Sequence, residues 1–361
     1  MRVLIRLLLV LAVLGAGLWL ALGVPAVQDA VLRRVALRQV AASPSDRLFE
    51  PDALRVLLCG TASPLPHPTR ARPCTAVFAG GRLYVVDVGP GAWNRLALWR
   101  VDGARLGAVL LTHFHSDHVG ELGEFDLQSW VAGRPGPLRV FGPEGVDRVV
   151  AGFEQAYAAD ARARIAHHGA ELLAPAAEPM EAITVPVGGG AGSERAVVLE
   201  EAGLTITAFT VDHRPADPAV GYRFDFGGRS VVVSGDTVAH PGLVEAARGA
   251  DVLVHEAQAN HVVAILEEAT RAAGRSRLAK ILSDIPDYHT SPVDAARVAN
   301  EAGVDLLLLT HLTPPPTNPW LARVFVRGVD EVRPEGWRLG EDGLLVELPA
   351  GGDAVRIDRL D

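Results

Sequence analysis

Thr112-His113-Phe114-His115-Ser116-Asp117-His118 holds four potential metal ligands within six residues, just after the apolar run Ala108–Leu111. A strand that ends in a tight loop can aim such side chains at one point. Imidazole nitrogen and carboxylate oxygen together suit zinc and related divalent ions. A polar loop with incidental histidines accounts poorly for that density. Three further apolar runs end in the same residue types. Leu204–Val211 runs into Asp212-His213, Val231–Gly235 into Asp236, and Leu306–Thr310 into His311. Strand ends along one sheet edge are where α/β proteins build sites. The five histidines and two aspartates gathered this way exceed the needs of one tetrahedral ion. They suit two ions that share a bridging carboxylate.

The chain around these runs reads as layered α/β structure. Short Val/Leu/Ile-rich runs at Leu54–Cys59, Leu83–Val88, Leu138–Phe141 and Val252–Val254 join those above as strands, several buried on both faces. Val146–Arg164 and His261–Ser283 carry apolar and alanine positions at helical spacing. Ser291–Ala302 opens with a serine cap, Pro292 and then Asp294, the order expected of a helix start. Gly188–Gly192 reads as a surface loop.

Composition narrows the class. The 361 residues, 49% hydrophobic and 21% charged, exclude a disordered chain. A net charge of -9 argues against a protein whose main task is gripping a nucleic-acid backbone. Two cysteines exclude a disulfide-built scaffold and a four-thiolate zinc site. Residues Leu7–Val27 carry no charge and follow Arg2 and Arg6. As a helix they would rise ~30 Å, the thickness of a bilayer core. This reads as a signal-anchor or a signal peptide over 1–28, followed by a linker over 29–52 and one domain over 53–361. The expected location is membrane-anchored facing the periplasm or exterior, or secreted if the leader is cleaved. Cys59 and Cys74 could then pair, or remain as buried free thiols.

The His-x-His-x-Asp-His signature at 113–118 resembles that of metallo-β-lactamase-fold hydrolases, and the resemblance extends from about Leu54 to the C-terminus. It implies an αββα sandwich with a dinuclear site along the sheet edges. Carried over by position, it implies that His113, His115 and His213 hold one ion and Asp117, His118 and His311 the other. Asp236 would bridge them, with Zn2+ as the expected metal. Asp212-His213-Arg214-Pro215, Gly221-Tyr222-Arg223, Ser234-Gly235-Asp236-Thr237, His255-Glu256-Ala257 and His289-Thr290-Ser291 are similar to the ribonuclease Z and arylsulfatase/phosphodiesterase branch. In that branch the last histidine gives a proton to the leaving group and the glutamate orients it, which implies those roles for His289 and Glu256. Asp117 joins them as a catalytic candidate.

Within the branch, three features favour the arylsulfatase/phosphodiesterase side. Only 22 residues separate His213 from Asp236, too few for the tRNA-clamping arm of bacterial ribonuclease Z. The leader places the domain away from tRNA precursors, and the chain is acidic. The longer gap from His255 to His289 departs from the compact family pattern and implies an inserted helix beside the pocket. The expected activity is hydrolysis of small phosphate or sulfate esters by a metal-bridging hydroxide. Nucleic acid is not expected as a partner, and a homodimer is open. A ribonuclease Z-like RNA endonuclease is the alternative, with lactonase or β-lactamase chemistry below it and a non-enzymatic metal-binding domain last. Thr112, Thr310 and Glu256 are candidate partners for the ligand imidazoles. His167-His168 and Tyr222-Arg223 could reach the pocket, or could serve as a helix end and as strand packing.

Overall fold

The computed structural model describes residues 4, 6, 7, 19–41, 45–187 and 194–360. They fall into two units, Met1–Pro44 and Ser45–Asp361. The first contains a helix over Pro25–Ala41 that carries Asp29, Arg33, Arg34 and Arg38. Four charges in 17 residues do not suit a hydrocarbon core. No helix among the described residues is long and apolar enough to cross a membrane. Among the described residues the expected transmembrane or signal helix over 1–28 thus finds no support, and the expected membrane-anchored or secreted location is withdrawn with it. Most of Leu7–Val27, and the Gly188–Gly192 loop, lie outside the described residues.

The second unit is a two-sheet α/β sandwich. One sheet has the order β15-β14-β1-β2-β3-β4-β5-β6, and the other β13-β12-β11-β10-β9-β8-β7. The strands are β1 (Ala53–Gly60), β2 (Cys74–Ala79), β3 (Arg82–Val86), β4 (Leu106–Leu110), β5 (Leu138–Gly142), β6 (Met180–Thr184), β7 (Arg195–Glu201) and β8 (Leu204–Val211). They continue with β9 (Ala219–Phe226), β10 (Arg229–Val233), β11 (Val252–Gln258), β12 (Leu306–Thr313), β13 (Trp337–Leu339), β14 (Leu344–Pro349) and β15 (Arg356–Arg359).

Continuous apolar runs arise because the central strands are covered on both faces. On β1, Leu54, Val56 and Leu58 enter the layer between the sheets. Leu57 and Cys59 face outward and pack with Leu96, Phe125 and Val146 of the covering helices. In the second sheet Ile206, Tyr222, Phe224 and Val254 fill the same inner layer. Phe209, Leu253, Leu307 and Leu309 pack outward on Leu243, Ala295 and Ala299.

Strand direction then places the site. β3, β4 and β5 are mutually parallel, as are β10, β11 and β12. β8 and β10 are both antiparallel to β9, so β8 runs with them. Their C-terminal ends share one edge of the sandwich, where the ligand-type residues follow. Backbone and side-chain bonds join the two sheets along that edge. Val220 N–H donates to Thr112 C=O at 2.9 Å, Leu312 N–H to Thr61 C=O at 2.9 Å, and the Tyr222 hydroxyl to Leu111 C=O at 2.8 Å. Gly235 has φ +63, and a Cβ there would lie 2.9 Å from both the Thr112 Cβ and the Val220 oxygen. Only glycine lets β10 turn this tightly into Asp236.

Two expected elements differ from what forms. The Val252–Val254 strand continues to Gln258, so His255 and Glu256 are buried within β11. The single helix over His261–Ser283 is two helices, Asn260–Ala272 and Ser276–Asp284, because Gly274 takes φ +73 between them.

Cys59 and Cys74 are joined as a disulfide, with Cα atoms 4.9 Å apart, where β1 and β2 meet. The bridge closes a loop of 15 residues. The double variant Cys59→Ala/Cys74→Ala should lose about 3 kcal/mol of unfolding free energy through loop entropy. Denaturant titration checks this; an unchanged midpoint and slope would show that the bridge adds no stability.

Candidate metal centre

The seven ligand-type residues meet in space. Asp236 stands at their centre. Its Oδ2 lies 3.2 Å from His311 Nε2, 3.3 Å from His118 Nε2, 3.8 Å from His213 Nε2 and 3.9 Å from His113 Nε2. On one side His115 Nδ1 is 2.9 Å from His113 Nε2 and 3.4 Å from His213 Nε2. On the other, Asp117 Oδ2 is 3.4 Å from His311 Nε2 and 3.6 Å from His118 Nε2. His113, His115, His213 and Asp236 form one group that could hold an ion, and Asp117, His118 and His311 a second. Asp236, His289 and His311 also come close enough to share one. All but His115 and His289 are buried, and His115 lies at the open mouth.

The bonds behind the imidazoles decide which nitrogens face inward. His118 Nδ1 donates to Asp87 Oδ2 at 2.8 Å. Asp87 also accepts from Thr112 N–H at 2.9 Å and from the Thr112 hydroxyl. With its proton committed there, the Thr112 oxygen accepts from His113 Nδ1 at 3.1 Å. His213 Nδ1 donates to the Tyr288 carbonyl at 2.9 Å. Each of these three rings therefore turns an Nε2 lone pair toward Asp236. His118 Nε2, His311 Nε2, Asp117 Oδ2 and Asp236 Oδ1 are buried without a hydrogen-bond partner. A buried set of acceptors without donors is costly, and a cation satisfies it. The donor set thus fits divalent metal.

Electrostatics agree for three of the imidazoles. Burial lowers the pKa of His113, His115 and His213, which keeps them neutral as ligands require. Burial disfavours a charged His118, but the Asp236 and Asp87 carboxylates outweigh it and raise its pKa well above normal. For Asp236 burial works against ionisation, yet His311, His118 and His113 hold its pKa well below the usual range. Thr237 N–H and Thr290 N–H donate to Glu256 Oε1 at 3.1 Å and 3.2 Å. His289 Nδ1 donates to the same oxygen at 2.8 Å. Burial opposes a charged His289, but Glu256 prevails and pushes its pKa up to about 9.

Sequence alone does not single out Asp87, although it follows β3 just as His213 and Asp236 follow their strands. The Tyr288 carbonyl is a backbone group that no side-chain pattern reveals. Thr310, expected behind a ligand, makes no side-chain bond to an imidazole among the described residues. Tyr222 is buried with its hydroxyl on Leu111, and Arg223 pairs with Asp225 and backbone carbonyls, so both serve packing. His167 and His168 are exposed in the last turn of the Val146–His168 helix.

The β-lactamase superfamily domain matches residues 82–312. Ribonuclease Z of Mycobacterium marinum is 40% identical over 264 residues, covering 72% of this chain and 87% of that one. Ribonuclease Z of Mycobacterium sp. strain KMS is 36% identical over 304 residues, covering 82% and 97%. Among solved structures, the metallo-β-lactamase fold protein YhfI from Bacillus subtilis aligns with a TM-score of 0.59 at 19% identity, over 82% of this chain and 100% of that one. The short form of human tRNase Z aligns with a TM-score of 0.53 at 20% identity, over 82% and 99%. The curated relatives correct two expectations: the arylsulfatase/phosphodiesterase assignment, and the exclusion of nucleic acid as a partner. The physical reason is that net charge and a missing arm describe the periphery, whereas the matched domain at 82–312 spans every ligand-type residue. The chain belongs to the metallo-β-lactamase-fold, metal-dependent ester hydrolases, and within them to the ribonuclease Z family.

Proposed function

We propose that this chain is a ribonuclease Z-like endonuclease that hydrolyses a phosphodiester bond of RNA. The observation that carries the reading is 40% identity to ribonuclease Z across 264 residues. In this reading His113, His115 and His213 would hold one divalent ion and Asp117, His118 and His311 a second. Asp236 would be shared between them, and Zn2+ is the metal expected for such ligands. Bound ions would supply Lewis acidity toward the phosphoryl oxygens and activation of the attacking water.

The protein's own part is positional and protonic. Asp87 holds His118 by its Nδ1 proton and leaves Nε2 for the metal, and the Tyr288 carbonyl does the same for His213. His289 presents its Nε2 proton to the departing alkoxide. Glu256 fixes that ring and favours its charged form, which keeps the acid loaded at neutral pH. Thr237 N–H and Thr290 N–H fix the glutamate in turn.

Zinc-loaded protein should cleave a tRNA precursor, lose that activity to a chelator, and regain it with Zn2+. Hydrolysis of bis(p-nitrophenyl) phosphate or p-nitrophenyl sulfate without RNA cleavage would reject the RNA reading. Asp87→Ala should weaken zinc affinity about 10- to 100-fold, measured by chelator competition; unchanged affinity would show that Asp87 does not orient His118 for the metal. His289→Ala should lower kcat on RNA by about 10²- to 10⁴-fold. The loss should be far smaller on bis(p-nitrophenyl) phosphate, whose leaving group needs no proton. Wild-type activity on RNA should fall as rising pH deprotonates His289, and that alkaline limb should vanish in the variant. Equal losses on both substrates would argue against a proton-donor role.

A further inference from the structure

The chemistry above makes no use of the helical hairpin between Glu256 and His289. Its two helices, Asn260–Ala272 and Ser276–Asp284, turn at Gly274. Its base is tied to the sheet edge that carries the site. Gln258 Nε2 donates to Asn260 Oδ1 at 2.8 Å and to the Ile285 carbonyl at 3.1 Å, and Gln258 N–H donates to Thr290 C=O at 2.8 Å. The exit turn Ile285–Tyr288 supplies the carbonyl that holds His213 and leads directly into His289.

The far end has a different character. Residues 269–283 contain Arg271, Arg275, Arg277 and Lys280 and no acid, in a chain whose net charge is -9. All four cations are exposed. Arg271 pairs with Glu267 and Lys280 with Asp284. Neither Arg275 nor Arg277 has a carboxylate partner among the described residues. These two arginines, with Leu278 and Ile281, line a shallow groove. The inward face of the second helix is filled by Ala279 and Leu282, so Leu278 and Ile281, 37% and 50% exposed, are left facing solvent.

We propose that this hairpin tip is a docking surface for the RNA backbone, with Arg275 and Arg277 as its phosphate contacts. The inference rests on the RNA reading above and says where that substrate is gripped. Charge complementarity selects the occupant. A polyanion needs a local cationic foothold whose guanidiniums are not already neutralised. An unpaired guanidinium offers a forked donor set that matches a phosphate. The apolar side chains of Leu278 and Ile281 beside them can receive a sugar or base face. The second helix has nine residues, roughly 14 Å at 1.5 Å per residue. The tip therefore meets phosphates several nucleotides from the bond being cut.

The test compares the whole zinc-loaded chain with its Arg275→Ala/Arg277→Ala variant, on a tRNA precursor and on bis(p-nitrophenyl) phosphate. The variant should raise KM for RNA about tenfold and flatten the slope of log affinity against log salt by about 1.5 for two lost contacts. Hydrolysis of the small diester should not change, which also reports that the variant folds. If wild type hydrolyses the diester but never cleaves RNA, the function fails and this docking surface with it. If both proteins cleave RNA with the same KM and salt slope, the docking surface alone is overturned. A variant that instead loses only binding to anionic phospholipid vesicles, or only self-association, overturns it too and reassigns the patch.

Discussion

Nitrogen and oxygen lone pairs converge on Asp236 inside a buried pocket, and the rest of the molecule answers to that constraint. Lone pairs 3–4 Å apart repel unless a cation or a proton stands between them. Such an arrangement cannot be held by flexible loops, because the side chains would splay apart and find water. It is held by strand ends from two sheets, joined across the edge through Thr112, Val220, Thr61 and Leu312. Gly235 is part of the same constraint, since any side chain there would force β10 away from Thr112.

What the sequence made legible follows from how local each signal is. His113, His115, Asp117 and His118 are neighbours in the chain, so their shared purpose is visible in a single stretch. His213, Asp236 and His311 are visible because central strands buried on both faces are unbroken apolar runs whose ends stand out. The same logic hides the edge strands. β7 alternates exposed and half-buried positions, and all four residues of β15 are exposed, so neither resembles a run. Asp87 fits the strand-end rule but lies far in sequence from its partner His118. The break at Gly274 depends on one backbone angle that helical periodicity does not register.

Net charge was the least reliable guide, for a physical reason. Screening confines an exposed charge to about 10 Å in ordinary salt, so a sum over the whole chain says little about any one face. The acidic total is compatible with arginines grouped at one tip. It is equally compatible with carboxylates, such as Asp117 and Asp236, whose negative charge is buried among imidazoles. Nor does the shortness of the segment between His213 and Asp236 limit what other parts of the surface contact.

The hairpin and the acid belong to one continuous stretch of chain, and this has a catalytic consequence. Tyr288 holds the His213 imidazole through its carbonyl, and in the proposed mechanism the next residue, His289, carries the proton for the leaving group. A contact made at the far end of the Ser276–Asp284 helix is therefore mechanically continuous with both. Catalysis gains from remote binding only when that binding improves alignment in the transition state. A small diester touches the metal centre alone and cannot draw on such alignment. A long substrate spanning the tip and the centre would be oriented by the same segment that protonates its leaving group.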